Sequence, residues 1–157
     1  MSFFQRLQNS AFTDWFLGSP SIWAYPTVLT LHTVGLAILV GASFVINLRV
    51  LQVSGGIPLH RLQPLHRFIW IGFTINLVSG LILFVTEAGD RVVDPVFYVK
   101  MASIAVALAL GGVVKRRAID RPDAPQIATV RIRSLAAASL GMWTVAIVAG
   151  RLMAYVK

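Results

Sequence analysis

Four stretches of this chain carry no charged residue: Trp15 to Leu48, Phe68 to Thr86, Met101 to Val114 and Ser134 to Gly150. No other feature constrains the fold as tightly. A bilayer's hydrocarbon core takes about 20 mostly apolar helical residues, or somewhat fewer where terminal Lys or Arg side chains snorkel. Four membrane-spanning helices are therefore expected, at roughly 22–48, 67–87, 96–114 and 132–154. Composition agrees, with 13% charged residues where a soluble domain carries about 25%. The expected class is all-α: a polytopic membrane protein whose spans form one compact bundle over residues 1–157.

The first twenty residues, MSFFQRLQNSAFTDWFLGSP, lack the basic start and apolar run of a signal peptide. Phe3, Phe4, Leu7, Ala11, Phe12, Trp15 and Phe16 recur instead at helical spacing. That pattern predicts a short amphipathic helix over 2–17, lying in the membrane interface. Gly18 ends it, and Ser19-Pro20 or Ser21 is placed to cap the first span.

The net charge of +8 is unevenly distributed. The loops joining spans one to two and three to four hold Arg49, Arg61 and Arg67, then Lys115, Arg116, Arg117, Arg121, Arg131 and Arg133. With four spans these loops share a face, and the positive-inside rule makes it cytoplasmic. Both termini and the acidic loop with Glu87, Asp90 and Asp94 then face the periplasm of a bacterial inner-membrane protein. Topology and contact with anionic lipid account for the basic residues, and nothing resembles a nucleic-acid module.

The chain has no cysteine, which excludes disulfides and thiolate chemistry. It contains no GxSxG, HExxH, Walker A or GxGxxG motif. Small residues crowd the spans and favour tight packing; Gly111-Gly112 reads as a close helix contact and Gly55-Gly56 as a turn.

One imidazole, His32, lies inside the first span. An ionisable group at that depth is a functional candidate. At about 1.5 Å of rise per residue it sits roughly 6 Å to the periplasmic side of the midplane. Met101 falls at nearly the same depth in the third span, with Lys100 one residue further out and Arg151 in the outer part of the fourth. His66 lies about 20 Å away at the inner interface, too far to share an iron or copper with His32. His60 belongs to the inner loop, and both read as interfacial residues.

Two chemistries use the outer set. His32 and Met101 can ligate a b-type haem while Lys100 and Arg151 receive its propionates. Imidazole plus thioether also suits copper(I). The alternative has no cofactor: His32 hydrogen-bonds a hydroxyl or carbonyl between helices, Met101 fills space, and the two cations snorkel toward the acidic rim.

The runs YPTVLTLHTVGLAILVG (25–41), INLRVL (46–51), WIGFTINLVSGLILFVTEA (70–88), DPVFYVKM (94–101) and AGRLMAY (149–155) resemble a widespread family of small, four-helix bacterial inner-membrane proteins with no assigned reaction. The resemblance implies the four-span architecture and brings His32, Lys100, Met101 and Arg151 into one pattern. Members of that family often carry Glu, Asp and His where this chain has Leu29, Asn47 and Lys115. If those groups handle protons or metal, part of that chemistry is missing here.

Three functions follow as expectations. The first is a redox component exchanging electrons with a membrane or periplasmic partner or a quinone. The second is a non-catalytic accessory or scaffold subunit, homo- or hetero-oligomeric. The third is a small anion or metal transporter, which would need a dimer.

Overall fold

The computed structural model describes residues 3–18, 23–53, 56–120, 128–153 and 155. Among these every regular element is helical: α1 (Phe3–Gln8), α2 (Ala11–Gly18), α3 (Ala24–Val50), a 3-10 turn (Leu59–Leu62), α4 (Leu65–Thr86), α5 (Ala88–Arg91), α6 (Pro95–Val114) continued by a π turn (Lys115–Ile119), and α7 (Val130–Leu152). Four of the helices are long and apolar enough to cross a membrane. The cap expected at Ser19-Pro20 or Ser21 lies outside the described residues.

The N-terminal segment is two short helices rather than one over 2–17. Ser10 is the reason. Its Oγ accepts the Thr13 N–H at 3.4 Å, and its carbonyl accepts the Asp14 N–H at 3.0 Å, so a new helix starts there. The Thr13 hydroxyl reaches back to the Leu7 carbonyl at 3.4 Å and ties the two helices together.

α3 ends on a Schellman motif, with Val53 N–H on Leu48 O at 3.1 Å and Gln52 N–H on Arg49 O at 3.0 Å. The motif needs a left-handed residue, and Gln52 supplies it at φ 64°. Gly56 turns the following loop at φ 95°. At the far end of α6 one wide turn closes with Asp120 N–H on Lys115 O at 3.0 Å.

The chain divides into two compact units, residues 1–39 with 70–95 and residues 40–69 with 96–157. In the first unit, α3 and α4 meet backbone to backbone. A Cβ built on Gly72 would lie 2.6 Å from the Leu39 nitrogen and 2.8 Å from the Gly35 carbonyl oxygen. One on Gly35 would lie 2.8 Å from the Asn76 nitrogen, so only glycine fits at either position. α1 docks on α5 through Gln8, whose Oε1 accepts the Gly89 N–H at 2.8 Å and whose amide donates to Asp90 at 3.3 Å.

The second unit owns an apolar cluster. Ile46 and Val50 of α3, Leu59 and Leu62 of the 3-10 turn, Val114, Ala118 and Ile119 at the end of α6, and Ala128, Ile132 and Ala136 at the start of α7 pack together. Trp143 is buried further along α7. Gly111 and Gly112 correct the expectation of close packing there, because a Cβ on either meets open space among the described residues.

Candidate functional site

His32 is half-buried on α3 and faces α4 within the first unit. Its Nδ1 lies 3.0 Å from the Ser79 hydroxyl. That hydroxyl spends its own proton on the Ile75 carbonyl at 2.6 Å, leaving its oxygen as the acceptor. The imidazole is therefore assigned the tautomer with the proton on Nδ1, donating to Ser79. The Asn76 amide donates to the His32 carbonyl at 2.9 Å and sits 3.5 Å from Nε2. Asn76 and Ser79 are three residues apart, hence on one face of α4, and both are buried. Gly80 completes the seat: a Cβ there would come within 3.0 Å of the His32 Cε1 atom.

The chemistry available at His32 is narrow. Nδ1 and Nε2 are both addressed from α4, Nδ1 strongly and Nε2 at the limit of hydrogen-bond range. Nε2 is the nitrogen that carries the lone pair. A metal or haem iron bound to His32 would sit there, with Ser79 fixing the opposite side of the imidazole.

Lys100, Met101 and Arg151 belong to the second unit. Lys100 crosses Gly150, its Nζ lying 3.7 Å from where a Cβ on that glycine would stand. Arg151 follows Gly150 on α7 and stacks on Tyr155, 5.7 Å from the ring centroid. Lys100 and the start of the AGRLMAY run are thus brought together. Met101 is 40% exposed, a surface methionine within its own unit. The inner histidines fall in the second unit as well. His60 is exposed; His66 is half-buried, with a buried Nδ1 that has no hydrogen-bond partner among the described residues.

The partners of His32 are the residues that sequence reasoning missed. Asn76 and Ser79 are the polar interruptions of the second apolar stretch beside Thr74, and their spacing of three marks one helical face. A second polar contact was also not anticipated. Asn47 of α3, 2% exposed, donates to the Ser139 hydroxyl on α7 at 3.2 Å, and Ser139 donates to the Ala107 carbonyl on α6 at 3.2 Å. The Asn47 Oδ1 is buried without a partner among the described residues. Among the described residues no three His, Asp or Glu side chains gather into a metal-binding group.

No family model matches the chain, and neither a curated protein nor a solved structure matches it.

Proposed function

We propose that the chain is a multi-pass bacterial inner-membrane protein of the small four-helix type it resembles, acting as a non-catalytic accessory or scaffold subunit of a membrane assembly. The single observation that carries this reading is the engagement of His32. Its Nδ1 and backbone carbonyl are bonded to Ser79 and Asn76 of the neighbouring helix at 3.0 and 2.9 Å, which explains an intramembrane imidazole without a cofactor. The glycine contact beside it supports the same role, since the pair α3–α4 is built for close approach. In this reading α3, α4, α6 and α7 each span the bilayer. Loops α3–α4 and α6–α7 face the cytoplasm, and the termini and the Glu87–Asp94 segment face the periplasm. α1 and α2 lie in the outer interface, where Phe3, Trp15 and Leu17 are exposed.

A second reading keeps a b-type haem, or copper, on His32. It is favoured by the tautomer. An imidazole held at Nδ1 by Ser79 directs the lone pair of Nε2 away from that bond, with the Asn76 amide 3.5 Å from it. A transport role for Lys100 and Arg151 has no comparable support.

One purification separates the two. The accessory reading expects a colourless, metal-free protein in mild detergent that carries a stoichiometric membrane partner. A Soret band with sharp reduced α and β bands, lost in His32→Ala, would replace it with the haem reading.

A further inference from the structure

The described basic residues expected on the inner face all fall in the second unit, and their setting points to a specific ligand chemistry. Each flanks the apolar cluster that joins α3, the 3-10 turn, the π turn and α7: Arg61 precedes Leu62, Arg116 and Arg117 precede Ala118, and Arg131 precedes Ile132. Arg67 lies two residues beyond Leu65, which packs on the same cluster. These side chains are exposed, and none makes a hydrogen bond or ion pair with a described residue. The neighbouring cations are committed elsewhere. Lys115 pairs with Asp120 at 2.7 Å, Arg49 donates to the Ile57 carbonyl, and Arg133 reaches the Leu51 carbonyl at 3.4 Å.

Among the described residues, what remains is five guanidinium groups and no lysine, on elements held by a common core. Guanidinium forks match the paired oxygens of a phosphate diester, whereas an ammonium acts as a point charge. Exposed apolar side chains interleave with them. Phe68 follows Arg67 and is 54% exposed, and Val130 precedes Arg131 and is 82% exposed. A soluble polyanion has no use for these; a lipid headgroup with acyl chains below it covers both kinds of surface.

We infer that this end of the second unit is a binding surface for anionic phospholipid headgroups, with Arg61, Arg67, Arg116, Arg117 and Arg131 contacting the phosphates and Phe68 and Val130 entering the acyl region. The inference rests on the membrane reading above. Thermal unfolding of the purified chain in detergent micelles doped with phosphatidylglycerol or with phosphatidylcholine tests it. Phosphatidylglycerol raises Tm by several degrees over phosphatidylcholine, and added sodium chloride diminishes the gain. Arg116→Gln with Arg117→Gln removes at least half of the gain, and so does Arg61→Gln with Arg131→Gln, a second pair of exposed positions. Arg6→Gln, on α1 in the first unit, keeps it. Equal Tm in the two lipids, a gain that survives both double variants, or a gain reproduced by inorganic phosphate or a short oligonucleotide would overturn the surface. The membrane reading fails separately, if the chain stays monodisperse in buffer without detergent.

Discussion

The two units of this chain solve helix packing by different means, and their charges divide with them. In the first unit Arg6 and Arg91 stand against Asp14, Glu87, Asp90 and Asp94, and Arg91 is tied to Glu87 at 2.8 Å and to Asp94 at 3.7 Å. In the second, Asp120 is the one carboxylate among the described residues, set against Arg49, Arg61, Arg67, Lys100, Lys115, Arg116, Arg117, Arg131, Arg133 and Arg151. Packing differs in the same way. α3 and α4 of the first unit touch through glycine backbone and one imidazole, while the second unit buries aliphatic side chains and Trp143. The first arrangement depends on the absence of side chains at two positions, the second on their presence. Each should therefore fail under opposite substitutions.

The largest effect belongs to the second unit. Trp143→Ala empties the site of a residue only 1% exposed, and the cost should be about 3–5 kcal/mol, read as a fall in Tm of the detergent-solubilised protein. A fall no greater than that of an exposed residue such as Trp23→Ala would break the contrast. Gly72→Ala comes next, because the added methyl would sit 2.6 Å from backbone that cannot rotate away. Overpacking of this kind costs about 1–3 kcal/mol, so α3 and α4 must part or the unit must loosen. Gly111→Ala is the matched control in open space, and should be neutral or gain up to about 1 kcal/mol from helix propensity.

How far the fold could be read in advance follows from the same contrast. Runs without charge are long-range constraints that survive any detail of packing, so four helices of spanning length were legible. The break between α1 and α2 was not, since aromatic spacing continues across Ser10 while the cap depends on its hydroxyl. Depth grouped Met101 with His32 as an expectation; it is one coordinate and carries no information on which face of α6 a residue occupies. His32 bonds to Asn76 and Ser79 of α4, polar residues whose i, i+3 spacing is readable in the sequence, though nothing in the sequence says which residues of a neighbouring helix that face meets. Glycine was ambiguous for a physical reason: Gly35 and Gly72 mark a contact and Gly111 and Gly112 do not, although all four sit in apolar helices.

The smaller predictions sharpen the comparison at its two polar contacts. Ser139→Ala removes the acceptor for the Asn47 amide, in a group whose Oδ1 already lacks a partner among the described residues, and should cost about 1–3 kcal/mol. Asn47→Leu in the Ser139→Ala background should recover part of that loss, because it deletes both stranded polar atoms together.

At His32 the expected effect is smaller. Interhelical hydrogen bonds within a membrane are worth about 0.6 kcal/mol on average, since the separated helices find other partners. Ser79→Ala should lower Tm slightly, and His32→Ala should add little once Ser79 is gone, because the two share one bond at 3.0 Å. A double-mutant cycle reads this as a coupling energy of about 0.6 kcal/mol. A coupling near zero to both Ser79 and Asn76, with His32→Ala alone costing several times more than Ser79→Ala, would mean that the imidazole holds something other than these α4 side chains. That outcome would move the weight from the packing role to the ligand role of Nε2, and it would do so from stability alone, before any spectrum is taken.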